Sequence, residues 1–226
     1  MKILKTYIIP VLTMIALIIA AVFWTEADRE IKILCQVAES FENTAQLDRL
    51  IGTAENSRLF YEDEGTYSLK SHQNLRTSEC IFMTRDTELI SAEYLSYFSL
   101  PYSAAIINLF LFSFLLLLQL SLAGGLPFGK LAWGGKHKVL PKNYRIASLA
   151  AAFIYLILIF VLTEHLGKSN LIAESGFITE ILWAIFGIFF LSSIANTFSK
   201  STAERRLMLP VAVIITTCSF IIALNS

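Results

Sequence analysis

Five stretches without a single Asp, Glu, Lys or Arg, residues 6–25, 94–129, 146–163, 181–199 and 207–226, leave this chain few ways to fold. Each is about long enough to cross a bilayer core, which takes roughly 20 apolar residues. A helix satisfies its own backbone hydrogen bonds in lipid, so the pattern predicts five transmembrane helices. The first covers Thr6–Trp24, with Pro10 in its opening turns, and the second lies near Tyr102–Ala123, after Pro101. A hydrophobic content of 55% and a mean hydropathy of +0.62 exclude an ordinary soluble domain.

The charges are sorted between these stretches. Residues 1–5, 130–145 and 200–206 hold ten Lys/Arg and one acid, Glu204, whereas 26–93 and 164–180 hold eight Lys/Arg and seventeen acids. The positive-inside rule then predicts a cytoplasmic N-terminus and basic loops, with residues 26–99 and the C-terminus outside, as in the bacterial cytoplasmic (inner) membrane. The first span is longer than the about 7–15 apolar residues of a signal peptide. No small-x-small cleavage site precedes Glu26-Ala27-Asp28, so residues 1–25 are expected to be a retained anchor and not a cleaved leader.

Residues 26–99 are the one soluble segment of any size, and they read as a small α+β domain. Alternation at Ile31, Ile33, Cys35 and Val37 suggests a strand, while Ile31, Leu34, Cys35 and Ala38 fit a helix equally well. Ser40 is positioned to cap a helix that ends near Gly52. Leu59–Tyr61 and Thr66–Leu69 flank the turn Glu62–Gly65, and Cys80–Thr84 and Glu88–Ile90 flank Arg85-Asp86, giving two hairpins. A domain this small has a marginal core, and Cys35 and Cys80 are its only cysteines. A disulfide between them would contribute a few kcal/mol by closing a long loop. Cys218 reads as an apolar filler in the last span. Tyr94, Tyr97, Phe98 and Tyr102 form an expected interfacial aromatic belt. Glu164, His165 and Glu180 are expected to be solvated helix-end groups.

Residues 100–226 form the four-helix remainder. Its first internal connection, residues 124–145, holds five of the ten glycines and five of the eighteen Lys/Arg. Glycine-freed N–H groups at Gly129, Gly134 and Gly135, beside Lys130, Lys136, His137 and Arg145, suit capture of a lipid phosphate or small anion. The alternative is a structured turn whose Leu126, Phe128, Leu131 and Trp133 dip into the interface. Gly129-Lys130 is not a nucleotide-binding P-loop, since no Ser or Thr follows and no strand precedes. Glu204 is expected to pair with Arg145 or Arg205. Asn108, Gln119 and Asn196 are expected to hydrogen-bond across helices. No acid or base lies mid-span, so a proton relay has no carrier.

Two stretches carry a resemblance. Gly125-x-Pro127-Phe128-Gly129-x-x-Ala132-Trp133-Gly134-Gly135-x-His137-x-Val139-Leu140-Pro141-x-x-x-Arg145 is followed by Asn196-x-x-Ser199-x-Ser201-x-x-Glu204-Arg205-x-x-Met208-x-Pro210-Val211. Together they resemble the signature of a family of small bacterial integral membrane proteins with four helices and no assigned reaction. The resemblance covers residues 105–226 and implies a compact four-helix module, with the first helix and the 26–99 domain added to it.

Three functions remain in play. The leading one is a non-enzymatic multipass protein that meets a partner or signal through its outer domain. The second is a lipid-headgroup or small-anion binding or transport component using the glycine-rich loop. The third, a membrane thiol oxidoreductase, lacks the closely spaced cysteine pair such chemistry uses. Neither cofactor, metal nor nucleic acid is expected. The expected partners are the bilayer and a membrane protein or a second copy of the chain.

Overall fold

The computed structural model describes residues 9–41, 43–166 and 177–226. Lys2 and Lys5, which contribute to the charge asymmetry, and the middle of the 164–180 connection lie outside them. Five helices are long and apolar enough to cross a membrane: α1 (Ile9–Ala38), α3 (Leu100–Ala123), α4 (Lys142–His165), α5 (Phe177–Thr197) and α6 (Thr202–Leu224). A short α2 (Thr44–Ile51) and the strands β1 (Arg58–Asp63), β2 (Thr66–Lys70), β3 (Ser78–Arg85) and β4 (Glu88–Ser96) lie between α1 and α3. Two compact units result, Ile19–Leu100 and Met1–Ile18 with Pro101–Ser226.

In the sheet unit the ambiguity over residues 31–38 resolves as helix. Ile31, Leu34, Cys35 and Ala38 are buried, while Ile33 and Val37 are 57% and 40% exposed. That is a helical stripe at i, i+3, i+4 and i+7, and it packs with Leu47, Leu69, Phe82 and Leu89. At 1.5 Å per residue α1 runs about 45 Å, longer than the roughly 30 Å hydrocarbon core. Its later turns therefore serve as a wall of the sheet unit. This displaces the expected cap: the Ser40 hydroxyl donates back to Val37 O at 2.7 Å, closing α1. Asn43 caps α2 instead, its Oδ1 accepting from Gln46 N at 3.0 Å, and Gly52 ends that helix as expected.

Both hairpins form, as one antiparallel meander in the order β1-β2-β3-β4. Tyr61 pairs with Tyr67, a register shift follows before Asp63, and Leu69 pairs with Cys80. Cys35 and Cys80 are joined, with Cα atoms 5.6 Å apart, within the usual span of a disulfide. The bridge links helix to sheet through the centre of the apolar core. On the opposite sheet face Lys70 Nζ lies 2.7 Å from Glu62 and 2.8 Å from Glu79. Two of the belt tyrosines are tied into this unit: Tyr94 donates to Asp28 at 2.9 Å, and Tyr97 donates to Glu79. Phe98 meets the edge of Trp24, ring centroids 6.0 Å apart.

In the membrane unit α6 is central, buried along most of its length. Trp183 and Phe186 of α5 stack on its Phe220, and Ser193 and Thr216 share a hydrogen bond of 2.9 Å. Asn108 of α3 donates to Ser219 of α6 at 3.0 Å, the cross-helix bond expected of it. Met14 of α1 packs with Leu209 and Val213. Cys218 is a buried free thiol on the same helix. Glu164 departs from its expected solvation: it is 2% exposed.

Candidate functional site

The glycine-rich connection folds into two 3-10 turns, Gly129–Leu131 and Trp133–Gly135. Gly129 sits where the loop closes on itself. Its N–H donates to Lys138 O at 3.1 Å, and a Cβ there would stand 2.6 Å from His137 O. Trp133 takes a left-handed φ of 55°, a conformation that costs a non-glycine residue roughly 1–2 kcal/mol. The indole holds it there: Nε1 donates to the buried Ser148 at 3.0 Å, and the ring lies 5.8 Å from Tyr144. His137 contacts the same tyrosine at 5.8 Å.

The loop is tied to the start of α6 by a closed ring of hydrogen bonds. Ser201 caps α6, accepting from Glu204 N at 3.3 Å while its hydroxyl donates to Lys130 O at 3.0 Å. In an ordinary capping box the glutamate side chain returns to the cap residue's own N–H. Here Ser199 Oγ accepts from Ser201 N at 3.2 Å, which frees the Glu204 carboxylate to reach outward. It accepts from Gly134 N at 3.2 Å through one oxygen and from Ser199 Oγ at 2.5 Å through the other. Gly135 has φ 64°, and a Cβ on it would lie 2.2 Å from Ser201 Oγ. The glycine pair thus lets loop and helix approach to backbone contact.

Among the described residues, no ion pair joins Glu204 to Arg145 or Arg205, the pairing expected from sequence. Arg145 Nε donates to Leu140 O at 2.8 Å, its guanidinium lying against Gly125. Arg205 donates to Ser199 O at 3.1 Å, bracing the turn that presents Ser199 to the carboxylate. A glycine N–H suited to an external anion is therefore taken by an internal one. The side chains of Lys130, Lys136 and Lys138 are exposed and form no ion pair among the described residues.

Beneath the loop lies a cavity of about 210 Å³. Its polar lining comes from Gln119, Tyr155, Ser192, Asn196 and Glu204, and its cover from Leu131, Ala132 and Trp133. Apolar walls include Leu115, Leu118 and Met208. The volume is far above the roughly 10–15 Å³ needed to admit one water, and enough for a small polar head. Asn196 donates to Ser192 at 3.3 Å within α5, and the cross-helix bond expected of it is not formed among the described residues. The Gln119 amide makes no hydrogen bond among the described residues, and its Oε1 is buried. Neither does the Tyr155 hydroxyl.

Of the residues singled out from sequence, Lys130 (through its carbonyl), Gly134, Glu204 and Arg205 join one hydrogen-bond network, with Gly135 packed against Ser201. Gly129 closes the loop on itself, and Trp133 ties it to Ser148. Asn196 meets Trp133 and Glu204 at the cavity. Lys136, His137 and Arg145 stand outside that network. Gln119, Tyr155 and Ser192 were not singled out as site residues, because a polar side chain in an apolar run signals packing as readily as a pocket. The role of Ser201 was legible as Ser201-x-x-Glu204, a capping-box spacing before an apolar run.

Fold and site together define a multipass membrane protein with a loop-covered cavity in its helical unit. In comparison with known proteins, no family model matches the chain, and no curated protein or solved structure matches it significantly.

Proposed function

We propose that this is a non-enzymatic protein of the bacterial cytoplasmic membrane that binds a membrane-dissolved ligand in the loop-covered cavity. The carrying observation is the cavity itself, with a buried unsatisfied amide oxygen on Gln119 under a lid fastened by Glu204. A buried polar group without a partner costs about 1–3 kcal/mol, and a bound ligand relieves that cost. The positive charge of the connecting loops supports a cytoplasmic N-terminus and lid, with residues 26–99 and the C-terminus outside. Exposed Lys130, Lys136 and Lys138 then face the anionic headgroups of the inner leaflet. The disulfide-stapled sheet unit meets a partner or signal outside, and disulfides persist on that side. The four-helix module that the sequence resemblance implies over residues 105–226, with the sheet unit added to it, is compatible with this reading and supplies no function of its own.

Native mass spectrometry on the full chain in nanodiscs tests the binding. Wild type should retain one amphiphile mass, and Ala212→Phe, which fills the cavity from α6, should lose it at unchanged accumulation. An empty wild type, or equal retention by both, would refute the reading.

A further inference from the structure

We infer that the ligand is a hydroxyl-headed amphiphile whose apolar chain lies in a groove between α4 and α5, an inference that rests on the binding reading above. Three observations converge on it. First, the cavity under the loop has no Lys or Arg in its lining, and Glu204 is part of its wall. A phosphate or carboxylate head would be brought beside a like charge with no cation to offset it. The basic residues of the loop that invite an anion point elsewhere: Lys130, Lys136 and Lys138 are exposed and line no part of the cavity.

Second, the groups left without partners match a hydroxyl. The Gln119 amide offers an acceptor and a donor, and makes no hydrogen bond among the described residues. The Tyr155 hydroxyl both donates and accepts, and is likewise without one. A hydroxyl satisfies such a pair by donating to one and accepting from the other, whereas an ammonium only donates. Both Glu204 oxygens already accept hydrogen bonds, from Gly134 N–H and Ser199 Oγ, whereas Gln119 and Tyr155 have none among the described residues.

Third, the cavity has a neighbour shaped for a chain. A second cavity of about 180 Å³ lies between α4 and α5, lined by Ala151, Ile154, Leu158, Ile185 and Ile188. It shares Tyr155, Phe189 and Ser192 with the first, so the two meet along one wall. Its lining is almost wholly apolar, and Ile188 is 63% exposed on its rim. A cavity with a cluster of polar side chains in its wall, adjoining an almost wholly apolar groove, has the division of an amphiphile.

The test uses the full chain in nanodiscs with Trp24→Phe and Trp183→Phe, leaving Trp133 in the cavity cover as the only tryptophan. Three amphiphiles carrying one chain, brominated near the head, are titrated: a monoacylglycerol, a lysophosphatidic acid and an alkylamine. The monoacylglycerol should quench Trp133 saturably at the lowest concentration. Gln119→Leu should weaken it by about tenfold or more, in line with loss of a buried hydrogen bond. Ala151→Phe, which narrows the groove, should weaken the long-chain monoacylglycerol and leave a short-chain one unchanged. If the phosphate or amine head quenches at lower concentration, or neither variant changes the titration, the hydroxyl assignment is overturned while the binding reading stands. If no amphiphile quenches Trp133 saturably, both fall.

Discussion

A lone carboxylate in a stretch that also holds Lys200, Arg205 and Arg206 should pair with a base, yet Glu204 accepts from Gly134 N–H and Ser199. Hydrogen bonds to a charged group contribute about 1.5–3 kcal/mol each, more than the about 0–1 kcal/mol of an exposed ion pair. The geometry separates the two glycines of the lid. At Gly134, φ is 77° and a Cβ would meet nothing within 4 Å, so Gly134→Ala should cost about 1 kcal/mol from backbone conformation alone. Gly135→Ala adds a collision with Ser201 Oγ and should cost about 2–4 kcal/mol. Thermal unfolding of the purified protein, followed by tryptophan fluorescence, would rank them; equal losses would contradict the close approach. Sequence shows glycine pairs and lysines, so an external anion is the natural reading. It does not show that an acid seventy residues away reaches the same N–H, because that depends on how Ser199 relieves Glu204 of its capping duty.

At the scale of elements, the helix-or-strand question at residues 31–38 could not be settled by periodicity, since Ile31 and Cys35 belong to both patterns. What decides it is continuity: α1 arrives already helical from the apolar span, and its stripe finds the sheet's core face. The hairpins are legible because their turns are polar and their strands alternate, whereas the cap of α2 falls at Asn43 and not at Ser40, because α1 stays helical to Ala38 and Ser40 closes it. On the other face of the sheet, Lys70 links Glu62 and Glu79. The hydrogen bond from Lys70, followed by that from Ser68, holds the Glu62 carboxyl below its ordinary value. The bond to Glu62, then that to Glu79, raises Lys70. Its bond to Glu79 raises Tyr97. A lowered carboxyl stabilises the fold above its unfolded value of about 4.3, and that stability is lost as pH falls through the folded value. Raised Lys and Tyr stabilise it fully below about 10, and that stability is lost as pH rises through their folded values. The sheet unit should therefore be most stable between about pH 5 and 9. Lys70→Met leaves two carboxylates facing each other, Glu79 with a side chain only 9% exposed. It should destabilise the unit by about 1–3 kcal/mol at neutral pH, with the difference from wild type shrinking in acid, where the wild type's own Lys70–Glu62 interaction is lost. Hydrogen exchange of β2 and β3 in the full chain reads this directly; a loss that is unchanged in acid would contradict the pairing.

For the whole molecule, the proposed orientation and the disulfide constrain each other. Five spans with the basic loops inside put residues 26–99 outside, and only there would Cys35 and Cys80 stay joined in a mesophilic cell. A bridge across a sequence separation of 45 is worth about 4 kcal/mol on loop-closure grounds. Much of a small core's stability then depends on which side of the membrane the unit occupies. Had the orientation been reversed, the cytoplasm would reduce the pair and leave two buried thiols at the centre of the apolar cluster. In cells lysed under acid quench, a thiol-reactive polymer applied after unfolding should therefore label only Cys218, and three cysteines after reduction. A C-terminal reporter active only in the cytoplasm should stay silent in the same cells. Cysteines labelled without reductant, together with an active reporter, would invert the topology. They would also move the loop-covered cavity to the outer leaflet, where the lysines of the lid would no longer face the anionic surface proposed for them.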